Sequence, residues 1–275
     1  MSSVFDVGAV RPESPLIGIF DSGVGGISVL RHIRTELPRQ NLLYCADSLH
    51  TPYGSKTPEQ IRQRSMRLTE FLLEQGASAI VVACNTATAA AVSALRASFS
   101  VPIIGMEPAV KPAVAATRNG VVGVMATVGT LKSAQFAALL ENYGKGVQVV
   151  TQACHGLVEC VERGALDAPA TRDLVLKYVE PLLAQGADTI VLGCTHYPFV
   201  RPLIERAVGP DVAIIDTGAA VARQLRRRLE VHGLLGETAG PAEFWTSGNP
   251  AEAQSVMSML WGQPVEVQQL PDWAK

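Results

Sequence analysis

The chain of 275 residues is short of aromatics (5%), short of charge (17% Asp, Glu, Lys and Arg) and nearly neutral, with a formal net charge of −2. Each shortage excludes something. Without a basic excess there is no electrostatic footprint for a nucleic-acid backbone, so no nucleic-acid partner is expected. No apolar run approaches the ~18 residues needed to cross a bilayer, so no membrane association is expected. Residues 1–15 carry neither a basic flank nor an apolar stretch and read as a disordered tail, not a signal peptide. There are five cysteines, Cys45, Cys84, Cys154, Cys160 and Cys194. An odd number without an export signal argues for free thiols in a reducing, cytoplasmic compartment. C-x-x-C is missing and no spacing matches a closed zinc site, so no metal is expected.

What is present is apolar: 48% of the chain. Short apolar runs predict strands at 16–20, 41–46, 79–84, 102–106, 121–126, 147–152, 189–194 and 212–216, with helical patterns between them. In TPEQIRQRSMRLTEFLLEQG (57–76), Thr57 reads as N-cap, Pro58 as the first helical residue and Gln60 as the capping-box partner, with Gly76 as the stop. Continuous apolar strands alternating with helices indicate parallel sheet covered on both faces. The class is α/β.

The chain also repeats itself. QGASAIVVAC (75–84) and QGADTIVLGC (185–194) agree at six of ten positions at an offset of 110, both cysteines included. Farther on, IIGMEPAV (103–110) echoes IIDTGAAV (214–221), and GIFDSG (18–23) loosely echoes GVMATV (123–128). Two pseudo-symmetric, Rossmann-like halves follow, each placing a cysteine at the carboxyl end of a strand, where open α/β sheets bind ligands. Those ends are polar: Asp21-Ser22, Asp47-Ser48, Asn85-Thr86, Thr127, Thr195-His196 and Asp216-Thr217. One buried cysteine is ordinarily a small hydrophobe. Two equivalent ones, each followed by small hydrogen-bonding residues, point to chemistry in a central cleft.

Facing thiols at strand-to-helix turns, where a thiolate is favoured, suit a two-base proton transfer: one removes a proton from one face of a substrate, the other delivers one to the opposite face. A Cys194–His196 nucleophile, as in a thiol hydrolase, is the alternative and leaves Cys84 unexplained. An inactivated binding or regulatory protein is a third reading, against which both cysteines and their polar flanks count. The glycines of GIFDSGVGGIS follow a strand and open a helix. They spell G-x-G-x-x-S, however, and Asp21 would repel a pyrophosphate, so no nucleotide is expected. They read as a tight turn closely approaching a small ligand. No lysine falls in the cleft, Lys132 being nearest, so a pyridoxal-phosphate Schiff base is not expected.

IFDSGVGG (19–26), ADSLHTPYG (46–54), VACNTATA (82–89), GVMATVGTLKS (123–133) and GCTHYP (193–198) together resemble the glutamate racemases of the aspartate/glutamate racemase superfamily. The resemblance runs from about residue 16 to about residue 225. It implies a cofactor-independent bacterial isomerase that interconverts L- and D-glutamate and supplies D-glutamate for peptidoglycan. By it, Cys84 and Cys194 match the two proton-transferring cysteines, the first acting on the D-isomer and the second on the L-isomer. Asp21 and Ser22 match the pair that meets the substrate amino group and supports the first cysteine. Asn85, Thr86, Thr130 and Thr195 match substrate hydrogen-bond partners, and Tyr53 and Gly54 match backbone donors to the side-chain carboxylate. His196 matches the histidine assisting the second cysteine. Glu162, in ACHGLVECVERG (153–164), matches the auxiliary glutamate, or is a surface-helix glutamate; both readings stand. His32, His50, His155 and His232 and the other cysteines read as surface or packing residues. The family's discontinuous domains imply a first domain of 16–100 plus 216–275 and a second of 101–215. Aspartate or another amino acid is the alternative substrate, with PYG and GCTHYP favouring glutamate. A homodimer and an allosteric activator stay open.

Overall fold

The computed structural model describes residues 15–238 and 240–275. The expected tail lies outside these residues except for Pro15, which is buried, its carbonyl accepting a hydrogen bond from Gln40 Nε2 at 2.5 Å. Ten strands are described: β1 Leu16–Asp21, β2 Asn41–Ala46, β3 Ala77–Val82, β4 Ile103–Ile104, β5 Val121–Ala126, β6 Gln148–Ala153, β7 Thr189–Gly193, β8 Ala213–Ile215, β9 Ala242–Thr246 and β10 Val267–Gln269. They form two sheets, ordered β10-β9-β2-β1-β3-β4 and β6-β5-β7-β8, and every pairing is parallel. The expected α/β class with two parallel-sheet halves is borne out.

The core of each sheet has the same wiring. The order β2-β1-β3-β4 recurs as β6-β5-β7-β8, so the loose echo of residues 18–23 in 123–128 pairs β1 with β5, and the cysteine repeat pairs β3 with β7. Central strands have helices on both faces and are buried almost throughout, whereas the edge strand β6 is half-exposed. The Gln-Gly shared by the repeats has a backbone cause. Helices Pro58–Glu74 and Pro169–Ala184 end at Gln75 and Gln185, and the chain turns into β3 and β7 through Gly76 (φ +90°) and Gly186 (φ +84°). That left-handed region suits glycine alone among these residues. The expected cap of the first helix is present in full: Thr57 Oγ1 accepts from the Gln60 N–H, and Gln60 Oε1 accepts from the Thr57 N–H.

Two strands were not expected from the sequence. After β8 the chain crosses back as helix Gly218–His232, which packs on helix Ile27–Glu36 with Arg226 bridging to Glu36 at 3.1 Å. It then adds β9 and β10 to the open edge of β2. The last residues seat Leu270 and Ala274 in the apolar cluster that holds Tyr53, Phe71 and Cys84. We propose dividing the chain along its two sheets, with the return near residue 216 as expected and the first crossing moved from residue 100 past β4, because β4 pairs with β3.

Candidate active site

The carboxyl ends of β1, β2 and β3 meet those of β5 and β7, and side chains from both halves interlock there. Asp21, at the end of β1 and fully buried, organises the first half's contribution. Its Oδ1 accepts from the Ser22 N–H (2.7 Å) and hydroxyl (3.3 Å), and its Oδ2 accepts from the Gly26 N–H (2.6 Å) and from Thr195 Oγ1 of the other half (3.2 Å). Ser28 Oγ reaches across to the Thr195 carbonyl at 2.8 Å. Burial pushes the Asp21 carboxyl above its ordinary range, against the pull of His196.

Cys84 follows β3 and is the N-cap of helix Asn85–Ser98, its Sγ accepting from the Ala87 N–H at 3.4 Å. Ser22 Oγ stands 3.8 Å from the same sulfur. Burial drives the thiol well above its ordinary value; the nearby Asp21 charge pushes the same way, as does Cys194. Cys194 follows β7 and has other company. Its Sγ lies 3.7 Å from His196 Nδ1, and His196 Nε2 lies 2.6 Å from Glu162 Oε1. Burial opposes a charged imidazole, but the hydrogen bonds to Cys194 and Glu162 overcome it and hold His196 well above its usual value. Both cysteines were expected at a strand-to-helix turn. Only Cys84 caps a helix; Cys194 leads into a short 3-10 turn, Tyr197–Val200.

Glu162 is thereby removed from the surface-helix reading. It ends helix Leu157–Glu162, its side chain is 13% exposed, and besides His196 it accepts from the Val24 N–H at 2.8 Å. The glycine-rich turn also needs correction. The close approach expected there is to the protein's own side chains: a Cβ on Gly23 would collide with the Glu162 carboxylate, and one on Gly25 with the His196 ring. Neither glycine has a positive φ, so the requirement is space, not backbone conformation.

A second polar group joins the two halves just past Cys84. Thr86 Oγ1 lies 2.8 Å from Thr127 Oγ1 and 3.1 Å from Thr130 Oγ1, joining the ends of β3 and β5. Thr127, named only as a polar strand end, is thus part of this group. It also abuts Gly54, where an added Cβ would lie 2.9 Å from Thr127 Cβ. Tyr53 is buried, its hydroxyl donating to Asp47 Oδ2 at 2.5 Å. Beside these, Asn85 is 4% exposed, and neither its amide nitrogen nor its amide oxygen has a hydrogen-bond partner among the described residues. Burying both without partners is costly, which makes them candidates to hold a polar ligand. Among the described residues no cluster of three or more His, Cys, Asp or Glu could hold a metal. No described helix is long and apolar enough to cross a membrane.

The profile of the Asp/Glu/Hydantoin racemase family matches residues 17–225. The chain belongs to this family. A glutamate racemase of Ectopseudomonas mendocina is 60% identical over 91% of this chain and 96% of its own. Among solved members, the glutamate racemase isoform RacE1 of Bacillus anthracis has a TM-score of 0.87 at 32% identity, over 96% of this chain and all of its own. The Escherichia coli glutamate racemase, solved in complex with L-glutamate and the activator UDP-MurNAc-Ala, has a TM-score of 0.80 at 30% identity, over 93% and 97% of the two chains. The resemblance first carried by five short motifs therefore extends over almost the whole chain.

Proposed function

We propose that this racemase-family chain interconverts L- and D-glutamate without a cofactor, by two-base proton transfer between Cys84 and Cys194, and so supplies D-glutamate for peptidoglycan in a bacterial cytoplasm. The observation that carries the mechanism is the pair of thiols on equivalent strand ends of two facing halves, with the unpartnered amide of Asn85 beside one of them. The family and its glutamate racemase members carry the substrate.

In the L-to-D direction Cys194 acts as thiolate and takes the α-proton: the Cα–H bond breaks, an S–H bond forms, and an electron pair is left at Cα. Cys84 then gives its thiol proton to the opposite face. Exchange of one proton with solvent restores the starting pair, and the reverse direction exchanges the roles. His196, charged and tied to Glu162, stabilises the Cys194 thiolate. The raised Cys84 thiol is the form suited to donate first. Asp21 and Ser22 meet the substrate amino group, Asn85, Thr86, Thr127, Thr130 and Thr195 supply hydrogen bonds to its polar groups, and the Tyr53–Gly54 backbone takes the side-chain carboxylate. Cys84 is 5% and Cys194 8% exposed, so both thiols are largely shielded from bulk water.

The test is incubation of the purified protein in heavy water, without added cofactor, with L-glutamate and separately with L-aspartate. Deuterium at Cα together with the D-isomer is expected for glutamate alone. The same result for aspartate alone would keep the mechanism and move the substrate; exchange with neither would reject the paired-thiol reading.

A further inference from the structure

Behind the Tyr53–Gly54 backbone lies a buried polar cluster that the proton transfer does not use. Asp47, one residue past β2, is fully buried. Its Oδ2 accepts from the Tyr53 hydroxyl (2.5 Å) and from Arg64 Nε (2.9 Å); its Oδ1 accepts from Arg64 Nη2 (2.9 Å) and lies 3.0 Å from His50 Nδ1. Arg64 comes from the middle of helix Pro58–Glu74 and is 8% exposed. The same Nη2 donates to the carbonyl of Ala274, one residue from the end of the chain, at 2.7 Å. Ala274 and Leu270 are themselves buried against Tyr53's apolar neighbours.

A buried ion pair is a poor source of net stability, because desolvating two charges costs about what their attraction returns. What it supplies is fixed geometry. The bidentate guanidinium–carboxylate fork holds its two partners in one plane, and here the same carboxylate also anchors the phenol of Tyr53. On the other side Gly54 fits against Thr127 with no room for a side chain. Tyr53 and Gly54 are thus gripped from behind by charge and in front by shape. His50, half-buried on the adjoining 3-10 turn, and the buried Cys45 are further titratable neighbours of Asp47.

We propose that Asp47 and Arg64 are positioning residues, and that with the turn Asp272–Ala274 they set the Tyr53–Gly54 backbone for the far carboxylate of the substrate, so that this turn tunes affinity for a dicarboxylic amino acid. The inference rests on the glutamate reading above. A displacement of the donors by a fraction of an ångström weakens a contact made equally in the ground and transition states, which raises KM and leaves kcat nearly unchanged.

The experiment measures glutamate racemisation by the full-length protein and by Asp47→Asn, Arg64→Gln, Arg64→Lys and Tyr53→Phe, with thermal midpoints recorded for each. Expected is a KM raised about tenfold in Asp47→Asn and Arg64→Gln, equivalent to the loss of one charge-assisted contact, with kcat within about threefold of the parent. Arg64→Lys keeps the charge but not the fork and should fall between Arg64→Gln and the parent. An unchanged KM beside a lowered midpoint would make the cluster structural only and overturn the inference; so would a fall in kcat at constant KM. Should Asp47→Asn fail to fold, Tyr53→Phe, which deletes a single hydrogen bond, decides in the same way: a raised KM supports the inference and an unchanged one overturns it. A parent protein inactive on glutamate would instead reject the substrate reading, and this inference with it.

Discussion

The two halves of the molecule share a strand order and differ in how they treat their cysteine. In the first half Cys84 caps a helix of 14 residues and is flanked by Ser22 and Asp21. In the second, Cys194 opens onto a 3-10 turn and sits against a His196–Glu162 pair. The repeat therefore brings two sulfurs to equivalent strand ends by symmetry and gives them different surroundings. A helix N-terminus and a neutral hydroxyl leave Cys84, buried beside an acid, strongly biased toward the thiol. Cys194 lies instead against an imidazole that its hydrogen bonds hold well above its usual value. For a two-base reaction this difference is useful, since a resting site needs one base and one acid.

The comparison can be broken first at the sulfurs. Cys84→Ala and Cys194→Ala should each lower racemisation about a thousandfold or more in both directions, because each face needs its own base or acid. Polarimetry with either pure isomer reads this, and substantial turnover in either variant would end the two-base account. A smaller and asymmetric effect is expected from His196→Asn: a loss of about a hundredfold in kcat with KM within about threefold. In heavy water, Cα exchange from L-glutamate should slow more than exchange from D-glutamate; equal slowing would mean that His196 serves both thiols. Asp21→Asn should also cost turnover more than binding.

The smallest expected effect is on stability against pH. The His196 value is raised in the folded protein above the usual 6.5. A group of this kind contributes stability that is complete below its unfolded value and is lost as pH rises through its folded one. His196→Gln should therefore lower the unfolding midpoint most at about pH 5–6 and progressively less toward alkaline pH. A deficit that grows with pH would contradict the charged, Glu162-bound imidazole.

Much of this was legible in the residues. The apolar runs placed eight strands, and the Gln-Gly-Ala repeat marked the two cysteine strands because its glycine answers a backbone demand common to both halves. Strands β9 and β10 escaped notice because AEFWT mixes polar with aromatic residues and VQQ is three residues at a sheet edge, neither giving a continuous apolar signal. The glycines at 23 and 25 pointed correctly to a close approach, but the approaching groups come from residues 162 and 196 and no local pattern names them. Arg64 stands between Arg62 and Arg67 in helix Pro58–Glu74, and nothing in the sequence singles it out. Its partners, Asp47 and the Ala274 carbonyl, lie 17 and 210 positions away, distances over which spacing says nothing about contact.

The return of the chain to β2 has a consequence for synthesis. The four strands of the second sheet fall within one uninterrupted stretch, Val121 to Ile215, so a ribosome releases them together. The first sheet begins to emerge earlier yet lacks two of its six strands until Gln269 has been added, and Arg64 waits for Ala274. The half made first is thus the half finished last. A nascent chain stopped a few residues short would present both sulfurs and a complete second sheet, with the loop that carries Tyr53 and Gly54 still missing one of its supports.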